Sequence, residues 1–93
     1  MIKTFQNRET EQIFNREHAR FLPRSIHKTA LRKLLLIHAA INLHDLRVPP
    51  GNRLEELRGN RTGCHSIRIN GQWRVCFRWN NGHAYDVEII DYH

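Results

Sequence analysis

No run in this 93-residue chain is apolar for long enough to cross a bilayer. The longest, Leu34 to Ile37 continuing past His38 through Ala39, Ala40 and Ile41, falls far short of the roughly 20 residues a membrane helix needs. The opening MIKTFQNRET has no apolar signal core, so the expected location is cytoplasmic, with no membrane contact. Cysteine is scarce: Cys64 and Cys76 are expected as buried or half-buried thiols, because no metal-ligand or redox spacing surrounds either one. There is no long Ser, Gly or Pro tract, which argues against a disordered tail. Acid is also in deficit. Nine Asp and Glu face fifteen Lys and Arg, for a formal charge of +6 and a pI near 10.2, with seven histidines in reserve. That balance calls for a polyanionic partner, without choosing among nucleic acid, an acidic protein and an anionic surface.

What is present suits one domain over 1–93, with 40% hydrophobic residues for a modest core. Ile2 and Phe5 open a strand-like fragment before Asn7, whose side chain can cap a short helix through Glu11, Ile13 and Phe14. Pro23 interrupts, and Ser25 is placed to cap a longer helix from about Ile26 to Leu43, with Leu31, Leu34, Leu35, His38 and Ile41 as its apolar stripe and Lys33 off that stripe. DLRVPPGNRLEELRGNRTG then reads as a long surface connection anchored by Leu54 and Leu57. Strands are expected over about 64–69, 73–79 and 83–90.

Hairpin register follows from keeping each sheet face coherent. A three-residue loop from Asn70 to Gln72 pairs Ile69 with Trp73 and Ile67 with Val75 on one face, and Arg68 with Arg74 and Ser66 with Cys76 on the other. The same test on the second hairpin favours a loop from Asn80 to Gly82, pairing Phe77 with Tyr85, Val75 with Val87 and Trp73 with Ile89. A two-residue Asn81-Gly82 turn is chemically as good and would swap the faces of the last strand. In either case the helices cover one side, and Arg68, Arg74 and Arg78 point away as a shallow basic floor. Like charges on adjacent strands are unfavourable unless an anion sits there. Arg53, Arg58 and Arg61 fall within nine positions, interspersed with Gly51, Gly59 and Gly63, and Asp91, Tyr92 and His93 gather a carboxylate, a phenol and an imidazole.

Residues 54–93, above all HSIRINGQWRVCFRW and the terminal DYH, resemble the C-terminal half of HigB-type killer proteins, toxins of type II toxin-antitoxin modules in the RelE-like superfamily. The MIKTF opening, two helices and Pro-Pro-Gly linker extend the likeness over essentially the whole chain. The resemblance implies an α+β, RelE-like fold with two N-terminal helices on one face of a small twisted antiparallel sheet and a short N-terminal strand added to it. It also implies a ribosome-dependent endoribonuclease that cleaves mRNA, needs no metal or other cofactor, and is neutralised by a HigA-like helix-turn-helix antitoxin through which alone it meets operator DNA.

Cleavage by the ribose 2′-OH requires a base, cations for the crowded phosphorane and an acid for the departing 5′-oxygen. The resemblance assigns phosphate stabilisation to Arg74, in the family's Trp-Arg motif, with Arg68 in support. His93 and Tyr92 match the family's terminal pair, His93 for proton transfer. Arg58 stands where the family has a basic residue before a glycine and joins Arg53, Arg61 and Arg78 as RNA-binding cations. Some relatives carry a histidine where this chain has Glu55, so the base is Glu55 or His93. His65 is expected to pack on the core side, and His18, His27, His38 and His44 show no paired metal-ligand motif. The competing readings are a non-catalytic basic RNA- or DNA-binding module, an inactive toxin acting as co-repressor, and a gyrase-poisoning or protein-binding toxin of the same fold.

Overall fold

The computed structural model describes residues 1–59 and 63–92. Helix α1 spans Arg8–Phe14, and Asn7 caps it as expected: its side-chain oxygen accepts from the Thr10 N–H at 3.0 Å. Helix α2 spans Arg24–Ala39, which differs from expectation at both ends. Pro23, with its fixed φ, stands at the N-cap, and Ser25 lies inside the first turn. The C-terminal end comes early because Ala40 turns extended and the chain starts a 3-10 turn over Leu43–Arg47. Asn42 and Asp45 form a capping box there, and the Asp45 carboxylate accepts from the Ile41 and Asn42 N–H groups, both at 3.0 Å. These two bonds hold the Asp45 carboxyl below its ordinary pKa.

The stripe of α2 is also rotated from the expected one. Ile26, Ala30, Lys33, Leu34 and Ile37 are buried, whereas Leu35 and Ile41 are exposed. Leu31 and His38 sit half-buried at its border. The connection that follows is more structured than a surface loop. After the first 3-10 turn comes a second over Pro50–Asn52, then strand β1, Glu55–Glu56. Leu46 and Asn52 are its deepest residues, with Leu57 buried and Leu54 half-buried.

Strands β2 (Cys64–Arg68), β3 (Trp73–Asn80) and β4 (His83–Asp91) complete an antiparallel sheet in the order β1-β2-β3-β4. The first hairpin has the expected register, with Ile67 opposite Val75, Arg68 opposite Arg74 and Ser66 opposite Cys76. The second is corrected. Asn80 pairs with His83 across a two-residue turn, Asn81 and Gly82 both at positive φ, the backbone such a turn requires. Tyr85 consequently pairs with Arg78 instead of facing the helices beside Phe77. The swap does not persist: a bulge at Asp86, φ 52°, shifts the ladder so that Val75 meets Ile89 and Cys76 meets Glu88.

The bulge returns Val87 and Ile89 to the core with Ile67, Val75 and Phe77, against Ile13, Ile26, Ala30, Leu34 and Ile37 of the helices. Full burial of Phe77, Leu34 or Ile37 contributes roughly 1.5–3 kcal/mol each. The opening segment runs parallel along β4, bridging Ile2 to Ala84 and Phe5 to Val87. Between those bridges Thr4 Oγ1 accepts from the Asp86 N–H at 2.8 Å, so the bulged amide has a partner.

Candidate active site on the open face of the sheet

The sheet face away from the helices carries alternate residues of β2 and β3, among them Ser66, Arg68, Arg74, Cys76 and Arg78. Arg74 lies on that face as expected but is not part of an exposed floor. It is 6% exposed, because β1, the second 3-10 turn and the end of β4 close over it. Its Nε donates to Ser66 Oγ at 2.8 Å, and its Nη2 donates to the carbonyls of Ser66 at 3.2 Å and Arg53 at 2.5 Å. Glu55, paired across the ladder with Ser66, brings Oε2 to 3.9 Å from the same Nη2 and is itself half-exposed.

The phenol ring of Tyr92 forms the other wall. Arg74 Cζ lies 5.4 Å from the ring centroid, within cation–π range. The first hairpin turn holds the tyrosine there: the Tyr92 N–H donates to the Gln72 carbonyl at 2.6 Å, and Gln72 Nε2 donates to Asp91 Oδ2 at 3.0 Å. Asn70 braces that turn, its side-chain oxygen accepting from the N–H groups of Gln72 and Trp73, both at 2.8 Å. Thus a guanidinium is held by neutral acceptors, between one carboxylate and one aromatic face. Such a fixed cation suits a phosphodiester, since its geometry is set before any anion arrives.

A family model for the HigB-like toxin, described as the RelE-like toxin of the type II toxin-antitoxin system HigB, matches residues 3–93. The chain belongs to the HigB-like toxins. It is 43% identical over 91 residues to Toxin HigB-1 of Vibrio cholerae, with 96% of this chain and 95% of that protein covered. To Endoribonuclease HigB of Proteus vulgaris it is 29% identical over 93 residues, the full length of both. Among solved structures, Escherichia coli YafQ shares the fold at a TM-score of 0.59 and 13% identity, covering 98% of this chain and 91% of that one. The Staphylococcus aureus YoeB dimer does so at a TM-score of 0.61 and 22% identity, covering 99% and 94%. The two helices on an antiparallel sheet are thus the expected RelE-like α+β fold, and this HigB-like toxin has an antitoxin as partner.

In this toxin the expected site residues divide into groups. Arg68 is directly opposite Arg74 and half-buried, its Nη2 lying over Gly71, 3.8 Å from where a Cβ would stand. Tyr92 is at the site. Arg53 contributes its carbonyl, while its side chain, like that of Arg58, is exposed. Arg78 stands apart: its Nε is 3.7 Å from Asp86 Oδ2, in a separate groove that also holds Cys64, Cys76 and Glu88. Arg61 and His93 lie outside the described residues. His65 pairs with Phe77 on the core side, ring centroids 6.1 Å apart, and among the described residues neither cysteine forms a disulfide.

Ser66 and the Arg53 carbonyl escaped the sequence reading. Ser66 was within reach, because the correct register sets it two pairs along from Arg68 and Arg74, the next position on the same face. The carbonyl had no sequence signal. A surface hollow of about 580 Å³ between Met1, Ile41, Trp79 and His83 shares no residue with this site. Among the described residues no three His, Cys, Asp or Glu side chains are arranged to hold a metal ion, and no helix is long and apolar enough to cross a membrane.

Proposed function

We propose that this toxin is a metal-independent endoribonuclease that cuts mRNA on the ribosome in the cytoplasm. A HigA-like helix-turn-helix antitoxin neutralises it and provides its only link to operator DNA. The observation that carries the reading is Arg74 held beneath Tyr92 and beside Glu55, and membership among the HigB-like toxins supplies the reaction class.

In this mechanism Glu55 removes the proton from the ribose 2′-OH; its carboxylate stands 3.9 Å from the cation that holds the phosphate. The 2′-oxygen attacks phosphorus, and Arg74 with Arg68 stabilises the negative charge that accumulates on the phosphorane oxygens. The P–O5′ bond breaks, and His93 protonates the departing oxygen. The products are a 2′,3′-cyclic phosphate and a 5′-hydroxyl end. Tyr92 presents an aromatic face on which a splayed base can stack, and Arg53, Arg58, Arg61 and Arg78 contact flanking phosphates.

The test is to induce the chain with and without its antitoxin and map RNA 5′ ends. New 5′-hydroxyl ends within translated messages are expected only when the antitoxin is missing. Arg74→Ala combined with deletion of His93 should abolish both the ends and the growth arrest. Arrest that persists in this double variant, or arrest with intact transcripts, overturns the nuclease reading in favour of a binding or protein-directed toxin.

A further inference from the structure

Lys33 is unusual in the core of α2. It is 5% exposed and Asn52 fully buried, and Lys33 Nζ donates to Asn52 Oδ1 at 2.5 Å. Packing alone does not explain the pair: burying an ammonium against one neutral amide is costly, and a methionine would fill similar space without that cost. Asn52 continues the connection into the loop. Its Nδ2 donates to the carbonyls of Leu46 at 3.2 Å and Val48 at 3.3 Å, and its backbone N–H to that of Pro49 at 2.9 Å. One buried amide thereby ties helix α2 to both 3-10 turns.

The residue after Asn52 is Arg53, in the left-handed conformation at φ 46°, ψ 58°. A non-glycine side chain persists there when its surroundings over-determine it, and the Asn52 bonds do so from one side. The consequence is at its carbonyl, which accepts from Arg74 Nη2. A chain of direct contacts therefore runs from α2, on the covered side of the sheet, to the guanidinium on its open side.

We propose that Lys33 and Asn52 are positioning residues for Arg74, acting through the Arg53 carbonyl that holds its guanidinium in place. The inference rests on the reading of Arg74 as the phosphate-holding cation, and it adds two residues that touch neither RNA nor the reacting atoms.

Two measurements on the full-length toxin test it. The first is nitrogen-detected NMR of the Arg74 side chain, which reports its hydrogen bonds without reference to activity. Wild type should show slowed guanidinium rotation and a protected Nε–H; Lys33→Met and Asn52→Ala should speed the rotation, because Nη2 loses the Arg53 carbonyl, while the Nε–H held by Ser66 Oγ stays protected. Asn52→Asp, which keeps the acceptor for Lys33 and loses the Nδ2 donors, serves if Asn52→Ala does not fold. The second is cleavage on programmed ribosomes. Lys33→Met should lower kcat on the order of 10- to 100-fold, as expected for a misplaced catalytic group, with KM unchanged. In an Arg74→Ala background the same substitution should have no further effect. Unchanged Arg74 signals in folded Lys33→Met and Asn52 variants overturn the proposal, as does a lower melting temperature with unchanged kcat. If wild type cuts no RNA yet the Arg74 signals still respond, the positioning stands and the nuclease reading fails.

Discussion

Arg74 shows what one guanidinium can do that one ammonium cannot. Its planar fork reaches Ser66 Oγ through Nε and two carbonyls through Nη2; a lysine carries the same charge but cannot span those directions. Arg74→Lys should therefore retain the fold and lose cleavage by on the order of 10²-fold, the range seen when one transition-state donor is removed. Ribosome-programmed cleavage checks this, and activity within a few-fold of wild type would show that only the charge matters. Arg53 gives the complementary case, in which backbone conformation dominates. At φ 46°, Arg53→Gly should leave the melting temperature unchanged or raised, while Arg53→Val should destabilise by roughly 1–2 kcal/mol, because a β-branched residue clashes in that region. Parallel thermal melts of the two variants decide it. Neither consequence was legible in the sequence: alternation placed Arg74 on the correct face, but periodicity carries no information about which distant loop closes over that face.

At the level of elements, the first hairpin was readable because one register alone kept charge and hydrocarbon on separate faces. The second was not, because its turn and its bulge act in opposite senses. The two-residue turn moves Tyr85 to the open face, and Asp86 restores alternation before Val87. A one-residue irregularity leaves nearly the same apolar pattern on the far side, so coherence of faces could not distinguish it from a longer turn. The α2 stripe went astray for a similar reason: Lys33 was left off the apolar stripe, and its buried partner lies in a segment read as surface loop. The early end of α2 has a local cause that can be tested. Asp45 caps the following 3-10 turn, and its pKa is lowered chiefly by the N–H of Asn42, then that of Ile41. A depressed carboxylate pKa contributes stability that is complete above the unfolded value and is lost as pH falls through the folded one. Wild type should thus melt above Asp45→Asn at pH 7, with the gap closing below the ordinary carboxylate value of 3.8. A gap independent of pH would assign the difference to something other than the carboxylate's charge.

Across the whole molecule, charge and fold divide the labour between two sides of one sheet. The formal +6 draws the protein toward any polyanion, but the positions of the cations decide which face docks. Arg68 faces the open side, directly opposite the fixed guanidinium, and Arg58 is exposed two residues beyond β1, whereas Arg24 and Lys28 are exposed on α2, in the layer that covers the opposite face. If RNA approaches the open side, counterion release is governed by the first pair. The logarithm of ribosome affinity should fall linearly with the logarithm of salt concentration, and each phosphate contact removed should flatten the slope by about 0.7 for a single strand. Arg58→Gln and Arg68→Gln are expected to flatten it, and Arg24→Gln and Lys28→Gln to leave it as in wild type even though all four variants lose one unit of charge. Equal flattening in both pairs would mean that net charge, not the face of the sheet, governs docking. Flattening confined to the α2 pair would place the nucleic acid on the helices and separate it from Arg74 altogether.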